Sequence, residues 1–245
     1  MTLEICCGSL TAVQAAVRGG ADRVELCSGL ADGGLTPSVG LIKLTKPLPV
    51  KVNVLIRPRP GDFVYSRQER TQMDTDLREA IRAGADGLVL GALLEDGTLD
   101  MDLLDEQVVR ARRLRPGCSL TLHRCFDLTA DPLKALEQAR LLGFDRVLTS
   151  GCAPTAEKGL EMLARLRERG RELGIAIMAG GGVTPDNAAR IAACADELHA
   201  SARKPLESRM TFRRPDVSMG APGADEYAYP ETDPGTVHSI KQAIS

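Results

Sequence analysis

The sequence lacks a long hydrophobic run and any block of like charge. Its longest apolar stretch, Gly87 to Leu94, is far shorter than the ~20 residues that a membrane-spanning helix needs. The 31 Lys and Arg residues and the 33 Asp and Glu residues are interspersed, and the formal net charge is −2. We therefore expect neither a membrane segment nor a surface for nucleic acid.

The sequence also lacks the cysteine spacing of a disulfide framework. Its seven cysteines are an odd number and are scattered, so we expect reduced thiols and a cytoplasmic protein. A first strand predicted to start at Leu3 leaves no room for a signal peptide. Ser-His-Asp arrangements, HExxH and Walker loops are absent from the sequence, and no organic cofactor is evident. Standard hydrolase, zincin and nucleotide-kinase mechanisms therefore have no support.

One short phrase occurs four times in the chain. Its copies are GGADRVELC from Gly19, AGADGLVLG from Ala83, LGFDRVLTSG from Leu142 and ACADELHASA from Ala193. The aspartates of these copies lie 64, 59 and 51 residues apart, which suits two strands and two helices per interval. Four such units predict eight strands alternating with helices, and therefore a (β/α)₈ TIM barrel over about residues 1–202.

Helix starts are predicted where a capping side chain precedes a proline, and the capping residues are Thr36, Asp131, Thr184 and Asp233. Ser66 and Glu69 predict a capping box at the start of another helix. A proline-rich extension follows the barrel, with a long loop over about 203–233 and a final helix over about 234–244. A lid, a subunit interface and a meandering surface segment all remain open for this loop. We expect residues 1–245 to form a single domain.

Polar residues cluster where the predicted barrel strands end, which is where the active sites of such barrels lie. The candidates for catalysis, should the protein be an enzyme, are Glu25, Arg57, His123, Asp127 and His199. A buried Glu25 needs a partner, and Arg57 on the neighbouring strand is the predicted one. Each histidine is open to three interpretations: a general base, a metal ligand or a hydrogen-bonded packing residue.

Two cysteines occupy similar places on neighbouring strands. Side chains alternate along a strand, so Glu4 shares a face with Cys6 and Glu25 shares one with Cys27. Neighbouring strands run about 4.8 Å apart, and a pair of thiolates at equal height suits a soft ion such as Cu(I). The alternative is that both cysteines act as small buried hydrophobic residues.

A second candidate site contains glycine. The run Gly180-Gly181-Gly182 precedes a predicted helix start, where backbone amides favour an anion. The residues predicted to bind an anion are Ser150, Gly151, Gly181, Gly182 and Ser201. A tight turn without a ligand is the alternative.

Motifs along the whole chain resemble those of the CutC family of copper homeostasis proteins. They are LEICCGSL, GGADRVELCSGLADGGLTPS, IRPRPGDFVYS, LHRCFD, LTSGC, GGGVTPDN, ELHASAR and, in the extension, SMG at Ser218 and EY at Glu226. The resemblance implies a (β/α)₈ barrel, cytoplasmic copper handling, homo-oligomers, and copper ligands at Cys6 and Cys27. It also implies that the barrel mouth contains Glu25, Arg57, Arg59, Asp62, His123, Asp127 and His199.

Two functions of different classes follow. The first is a copper homeostasis protein that binds Cu(I) through Cys6 and Cys27. The second is an enzyme that acts on a small anionic or phosphorylated substrate, with Glu25 or His123 as acid–base and Arg57 holding charge. The expected partner is accordingly a copper ion or a small anionic ligand.

Overall fold

Eight parallel strands form a closed barrel, with sequential strands adjacent all the way round. The computed structural model describes residues 1–214, 216–217 and 225–245. The barrel strands are β1 (Thr2–Cys7), β2 (Arg23–Leu26), β3 (Lys51–Leu55), β4 (Gly87–Leu90), β5 (Ser119–Leu122), β6 (Arg146–Thr149), β7 (Ala176–Gly180) and β8 (Glu197–Ala200). The predicted (β/α)₈ barrel is confirmed.

Helices surround the barrel and bury their apolar faces against it. They are α1 (Leu10–Gly19), α2 (Val39–Thr45), α3 (Arg67–Ala83), α4 (Met101–Leu114), α5 (Pro132–Leu142), α6 (Leu160–Leu173), α7 (Ala188–Ala192) and α8 (Pro234–Ala243). Short 3₁₀ helices cover Leu30–Asp32 and Arg124–Leu128. Buried Met73 and Leu77 show the pattern on α3, where they lie one turn apart on the inner face.

The repeated aspartate has the same role in all four copies of the phrase. Each one precedes an even-numbered strand, and its carboxylate accepts the backbone N–H at the start of the odd-numbered strand before it. The four pairs are Asp22 with Leu3 N (2.7 Å), Asp86 with Val52 N (3.1 Å), Asp145 with Leu120 N (2.7 Å) and Asp196 with Ile177 N (3.1 Å). The repeat therefore satisfies strand donors at the amino-terminal face of the barrel, opposite the mouth.

Three of the five predicted helix starts are confirmed. Asp131 and Asp233 cap α5 and α8, and Ser66 forms the capping box of α3. The prediction is wrong for Thr36 and Thr184, because α2 begins after Ser38 and α7 begins after Asn187. The Thr36 hydroxyl accepts the backbone N–H of Arg57 at 2.9 Å. It therefore joins two loops and does not cap a helix.

The extension contains an antiparallel hairpin of β9 (Arg203–Glu207) and β10 (Ala228–Thr232). The prediction of a loop over 203–233 is therefore wrong at both ends. Prolines obscured the strands, but Pro205 lies opposite Pro230 in a two-stranded ribbon, where each strand has a free edge that tolerates a missing N–H. Pro215 and residues 218–224, with the SMG motif, lie outside the described residues.

The final helix is confirmed and packs against α1. Val237 and Ile240 are fully buried in the same core as the barrel helices. Gly19 makes the close approach possible, because a Cβ at this position would lie 2.5 Å from Cβ of Val237. This packing joins the final helix to the core that the barrel helices share.

Candidate functional site

A cavity of about 120 Å³ opens at the carboxyl ends of the barrel strands. Five of the predicted site residues line it: Cys6, Glu25, Arg57, His123 and His199. They come from β1, β2 and β8 and from the segments that follow β3 and β5. The closed barrel thus brings together residues that are far apart in sequence, as the strand-end argument predicts.

The two predicted metal ligands lie side by side. Cys6 Sγ is 3.4 Å from Cys27 Sγ, and the two residues are 8% and 0% exposed. A carboxylate oxygen of Glu25 completes a cluster in which all ligand atoms lie within 4.8 Å of one another. All seven cysteines are free thiols. The hydrogen bond with Cys27 and burial raise the pKa of Cys6 well above its usual value.

His199 lies between two buried carboxylates. Its Nδ1 is 2.9 Å from Glu4 Oε1, and its Nε2 is 3.7 Å from Glu25 Oε2. Burial alone lowers the pKa of His199, but Glu25 and Glu4 outweigh it and raise the pKa well above the usual value. Burial would raise the pKa of Glu4, yet His199 and Arg23 lower it to about 2. A Glu4 carboxylate and a His199 imidazolium thus form an ion pair beside the cavity.

The predicted pair of Glu25 with Arg57 is wrong. Arg57 lies beyond the end of β3 and donates to backbone carbonyls of the loops around the mouth, namely those of Asp32 (2.9 Å), Gly34 (2.9 Å) and Gly61 (2.8 Å). The charged neighbour of Glu25 is instead His199. Burial, as the largest cause, raises the pKa of the Glu25 carboxyl.

His123 lines the opposite wall of the cavity and is 4% exposed. Its Nδ1 accepts the backbone N–H of Cys125 at 3.1 Å, so the ring hydrogen is on Nε2. Within the described part of the chain, Nε2 has no hydrogen-bond partner. Burial and the charge of Arg57 lower the pKa of His123 to about 3, and the ring is therefore neutral near pH 7.

Asp127 does not line the cavity. Its carboxylate accepts the backbone N–H groups of Ser150 (3.0 Å) and Cys152 (3.1 Å), and it pairs with Arg124 Nε at 2.7 Å. Asp127 thus fixes the turn after β6 and positions Arg124, which does line the cavity. Arg59 and Asp62 pair with each other at 2.9 Å, also outside the cavity lining.

The predicted anion-binding residues fall into two groups. The N–H group of Ser150 donates to Asp127, and that of Gly151 donates to Thr149 Oγ1, so both are already hydrogen-bonded within the protein. Gly181 and Gly182 have φ values of 105° and 78°, which favour glycine, and a Cβ at Gly181 would lie 3.3 Å from Arg124. The anion site at this turn stays a prediction, and the available residues for it are Gly181, Gly182 and the half-buried Ser201.

A buried layer of charge lies beneath the cavity and was not predicted as a unit. Arg23 forms ion pairs with Glu4 and Glu197, and Arg146 Nε is 3.1 Å from Glu197. Strand periodicity carried a signal for it, because Arg23 is two residues before the inward-facing Glu25. This layer connects the base of the barrel to His199 through Glu4.

Comparisons with known proteins agree with the motifs. The sequence model of the CutC family matches residues 1–204. The copper homeostasis protein cutC homolog of Homo sapiens is 45% identical over 242 residues, covering 97% of this chain and 87% of that protein. The family protein CutC of Chromobacterium violaceum is 44% identical over 250 residues, covering 99% and 97%.

The solved structures give the same result. The putative copper homeostasis protein CutC from Streptococcus agalactiae has a TM-score of 0.74 and 32% identity, covering 82% of this chain and 98% of that one. Thiamine phosphate pyrophosphorylase from Pyrococcus furiosus, at 16% identity and a TM-score of 0.58 over 99% and 95% of the chains, shares the fold alone. Among the described residues, none of the helices has the length and apolarity to cross a membrane. The chain belongs to the CutC family of copper homeostasis proteins.

Proposed function

We propose that this protein serves copper homeostasis by binding one Cu(I) ion through the thiolates of Cys6 and Cys27. The observation that carries the proposal is the separation of 3.4 Å between their sulfur atoms in a buried setting. Thiolates are soft ligands that select Cu(I), whereas the carboxylate of Glu25 is a harder ligand and contributes less to such a site. The cargo ion would therefore be held by the sulfur pair.

The sulfur atoms need to move apart on binding. Metal–thiolate bonds are about 2.3 Å long, so sulfurs at their present separation would enclose an S–metal–S angle of about 95°. Two-coordinate Cu(I) favours a wide angle, and we expect one cysteine side chain to rotate when the ion binds. A structural zinc site normally has four protein ligands, whereas the buried cysteines of this site supply two thiolates. This difference favours Cu(I) over Zn²⁺.

The charge of the site supports the same ion. Two thiolates and one Cu(I) carry a net charge of −1, which needs compensation inside the protein. The His199 imidazolium lies against Cys6 and is itself held by Glu4. The positive charge is thus next to the place where the negative charge would form.

The proposal includes a cytoplasmic location and a homo-oligomeric state. Seven free thiols suit a reducing compartment. Exposed apolar side chains on the extension, including Leu206, Phe212 and Tyr229, support a subunit interface there. Sedimentation of the Phe212→Ser variant tests the interface, because a protein that keeps its oligomeric state would not use this surface.

Anaerobic Cu(I) titration against a competing chelator tests the copper site. We expect one tightly bound Cu(I) per chain and an affinity at least about 100-fold lower in the Cys6→Ser/Cys27→Ser variant. Mutation of a residue that only supports a metal ligand typically lowers metal affinity 10–100-fold, and removal of the ligands themselves should cost more. The matched control is Cys152→Ser/Cys194→Ser, which changes two cysteines outside the site. Unchanged affinity in the Cys6→Ser/Cys27→Ser variant would refute the proposal.

A further inference from the structure

His123 presents a buried N–H group for which the described part of the chain provides no acceptor. Its Nδ1 is occupied by the backbone N–H of Cys125, so Nε2 carries the hydrogen, and Nε2 has no partner among the residues described. The residue is 4% exposed and lines the cavity. A buried donor without an acceptor is costly, and nearly all such groups in proteins find one. The missing acceptor therefore indicates a ligand in the cavity.

The charges around the cavity favour an anion. Two of the lining side chains are guanidinium cations, Arg57 and Arg124, whereas Glu25 is the one acidic side chain in the lining that the described residues form. Arg57 Nε is also buried without a partner among those residues. Ionised oxygens only accept hydrogen bonds and so match unpartnered N–H donors. An anionic oxygen group is thus the chemical complement of this wall.

The remaining wall favours a carbon body attached to the anionic group. Leu55, Phe63 and Leu148 line the cavity, and the Phe63 ring centroid is 4.9 Å from that of His123. The volume of about 120 Å³ is several times the roughly 10–15 Å³ that one water molecule needs. This space suits a molecule of a few carbon and oxygen atoms. Inorganic phosphate would leave the apolar wall uncovered.

We propose that the cavity binds a small organic carboxylate, whose oxygens accept from His123 Nε2–H and face the Arg57 guanidinium. Its carbon body packs on Leu55, Phe63 and Leu148. This site goes beyond copper binding: Cys6 lines the same cavity, but the proposed contacts are made by other residues. It also gives a chemical class to the small anionic ligand that the sequence predicted.

Calorimetric titration of the copper-free protein tests the chemical class, with lactate as the probe. Lactamide is a neutral probe of the same shape, and inorganic phosphate is an anion without a carbon body. We expect saturable binding of lactate and binding at least about tenfold weaker for lactamide and for phosphate, the loss of one charge-assisted hydrogen bond being of this size. Absent lactate binding, equal binding of lactamide or preferential binding of phosphate would overturn the proposal.

Two variants of His123 test the donor. In His123→Asn, the amide oxygen replaces Nδ1 as acceptor for Cys125 N, and the Nε2–H is lost. In His123→Gln, the amide nitrogen takes the place of Nε2 and restores a donor. We expect about tenfold weaker lactate binding in the first variant and near-normal binding in the second. The control is Arg113→Gln, a change of an exposed cation on α4.

Nuclear magnetic resonance of the unaltered protein tests the same contact without any substitution, so the result does not depend on whether the His123 variants fold. In protein with ¹⁵N-labelled histidine, the Nε2 signal of His123 should shift when lactate is added. An unmoved signal, or unchanged lactate affinity in His123→Asn, would refute this site. Neither result would bear on the copper site, whose test uses Cys6 and Cys27.

Discussion

Cys6 Sγ lies 3.4 Å from Cys27 Sγ, although the register of β1 and β2 aligns Cys6 with Glu25. Cys27 is two residues beyond Glu25 in the chain, and its thiol nevertheless lies against the thiol of Cys6. This offset puts two sulfurs and one carboxylate within 4.8 Å of one another. A simple pairing of equal strand positions would instead have placed Cys6 beside Glu25 alone. The offset is what makes a two-thiolate site available.

Arg23 should be essential for stability, because it pairs with the fully buried carboxylate of Glu4 and the largely buried carboxylate of Glu197. In Arg23→Met, Glu4 and Glu197 lose this partner, and we expect the free energy of unfolding to fall by about 3–5 kcal/mol. Urea denaturation measures the loss. The control is Arg82→Met, which removes an exposed pair with Glu79 and should cost no more than about 1 kcal/mol. Equal losses in the two variants would contradict the importance of the buried layer.

Gly91 should be irreplaceable because it makes room for His123. A Cβ at this position would lie 2.3 Å from His123 Cε1 and 2.5 Å from Cys125 Sγ. We expect Gly91→Ala to cost about 1–3 kcal/mol of stability by overpacking and to weaken lactate binding by displacing the ring. At Gly117, a Cβ would meet nothing within 4 Å, so Gly117→Ala is the matched control for thermal and calorimetric measurements. A Gly91→Ala protein as stable as this control would refute the close packing.

The repeated aspartate should contribute to stability through the backbone. Asp145→Ala removes the acceptor for Leu120 N, and we expect a loss of about 1–3 kcal/mol, because a strand donor is left unsatisfied. Asp105→Ala, an exposed change on α4, should stay within about 0.5 kcal/mol of the unaltered protein. Urea denaturation of both variants compares them. Indistinguishable midpoints would show that the shared aspartate is dispensable.

His123 should make the protein less stable in acid. Its pKa is about 3 in the folded protein and about 6.5 in an unfolded chain. The unfolded chain therefore binds more protons between these values, and the stability present above about pH 6.5 is lost as the pH falls, by up to roughly 1.4 kcal/mol per pH unit. Between about pH 6 and 4, the free energy of unfolding of His123→Asn should depend less steeply on pH than that of the unaltered protein. The difference in slope should correspond to about one proton. An unchanged slope would mean that the ring is protonated in the folded protein.

The barrel itself was predictable from the sequence. The four copies of the phrase gave the number of strands, and the period of two along each strand gave the inward side chains, as for Glu25 and Cys27. The residues at the mouth then followed, because parallel strands of a barrel end at one face. Cys6, Glu25, Arg57, His123 and His199 were assigned to the cavity in this way.

The partners of these residues were not predictable. Arg57 is long enough to reach several acceptors, and it is bound by loop carbonyls that have no sequence signal. Asp127 follows His123 by only four residues, yet a 3₁₀ turn directs its carboxylate to the N–H groups after β6. The hairpin of the extension was hidden by prolines, which a free strand edge tolerates. Loop geometry and register decide each case.

X-ray absorption at the copper edge of the complex with one Cu(I) per chain tests the central claim most directly. We expect a first shell of two sulfur atoms at one distance, supplied by Cys6 and Cys27, and a loss of this shell in the Cys6→Ser/Cys27→Ser variant. The Cys152→Ser/Cys194→Ser variant should keep the sulfur shell unchanged. A first shell of nitrogen and oxygen atoms in the unaltered protein would contradict the assignment of copper to this pair of thiolates.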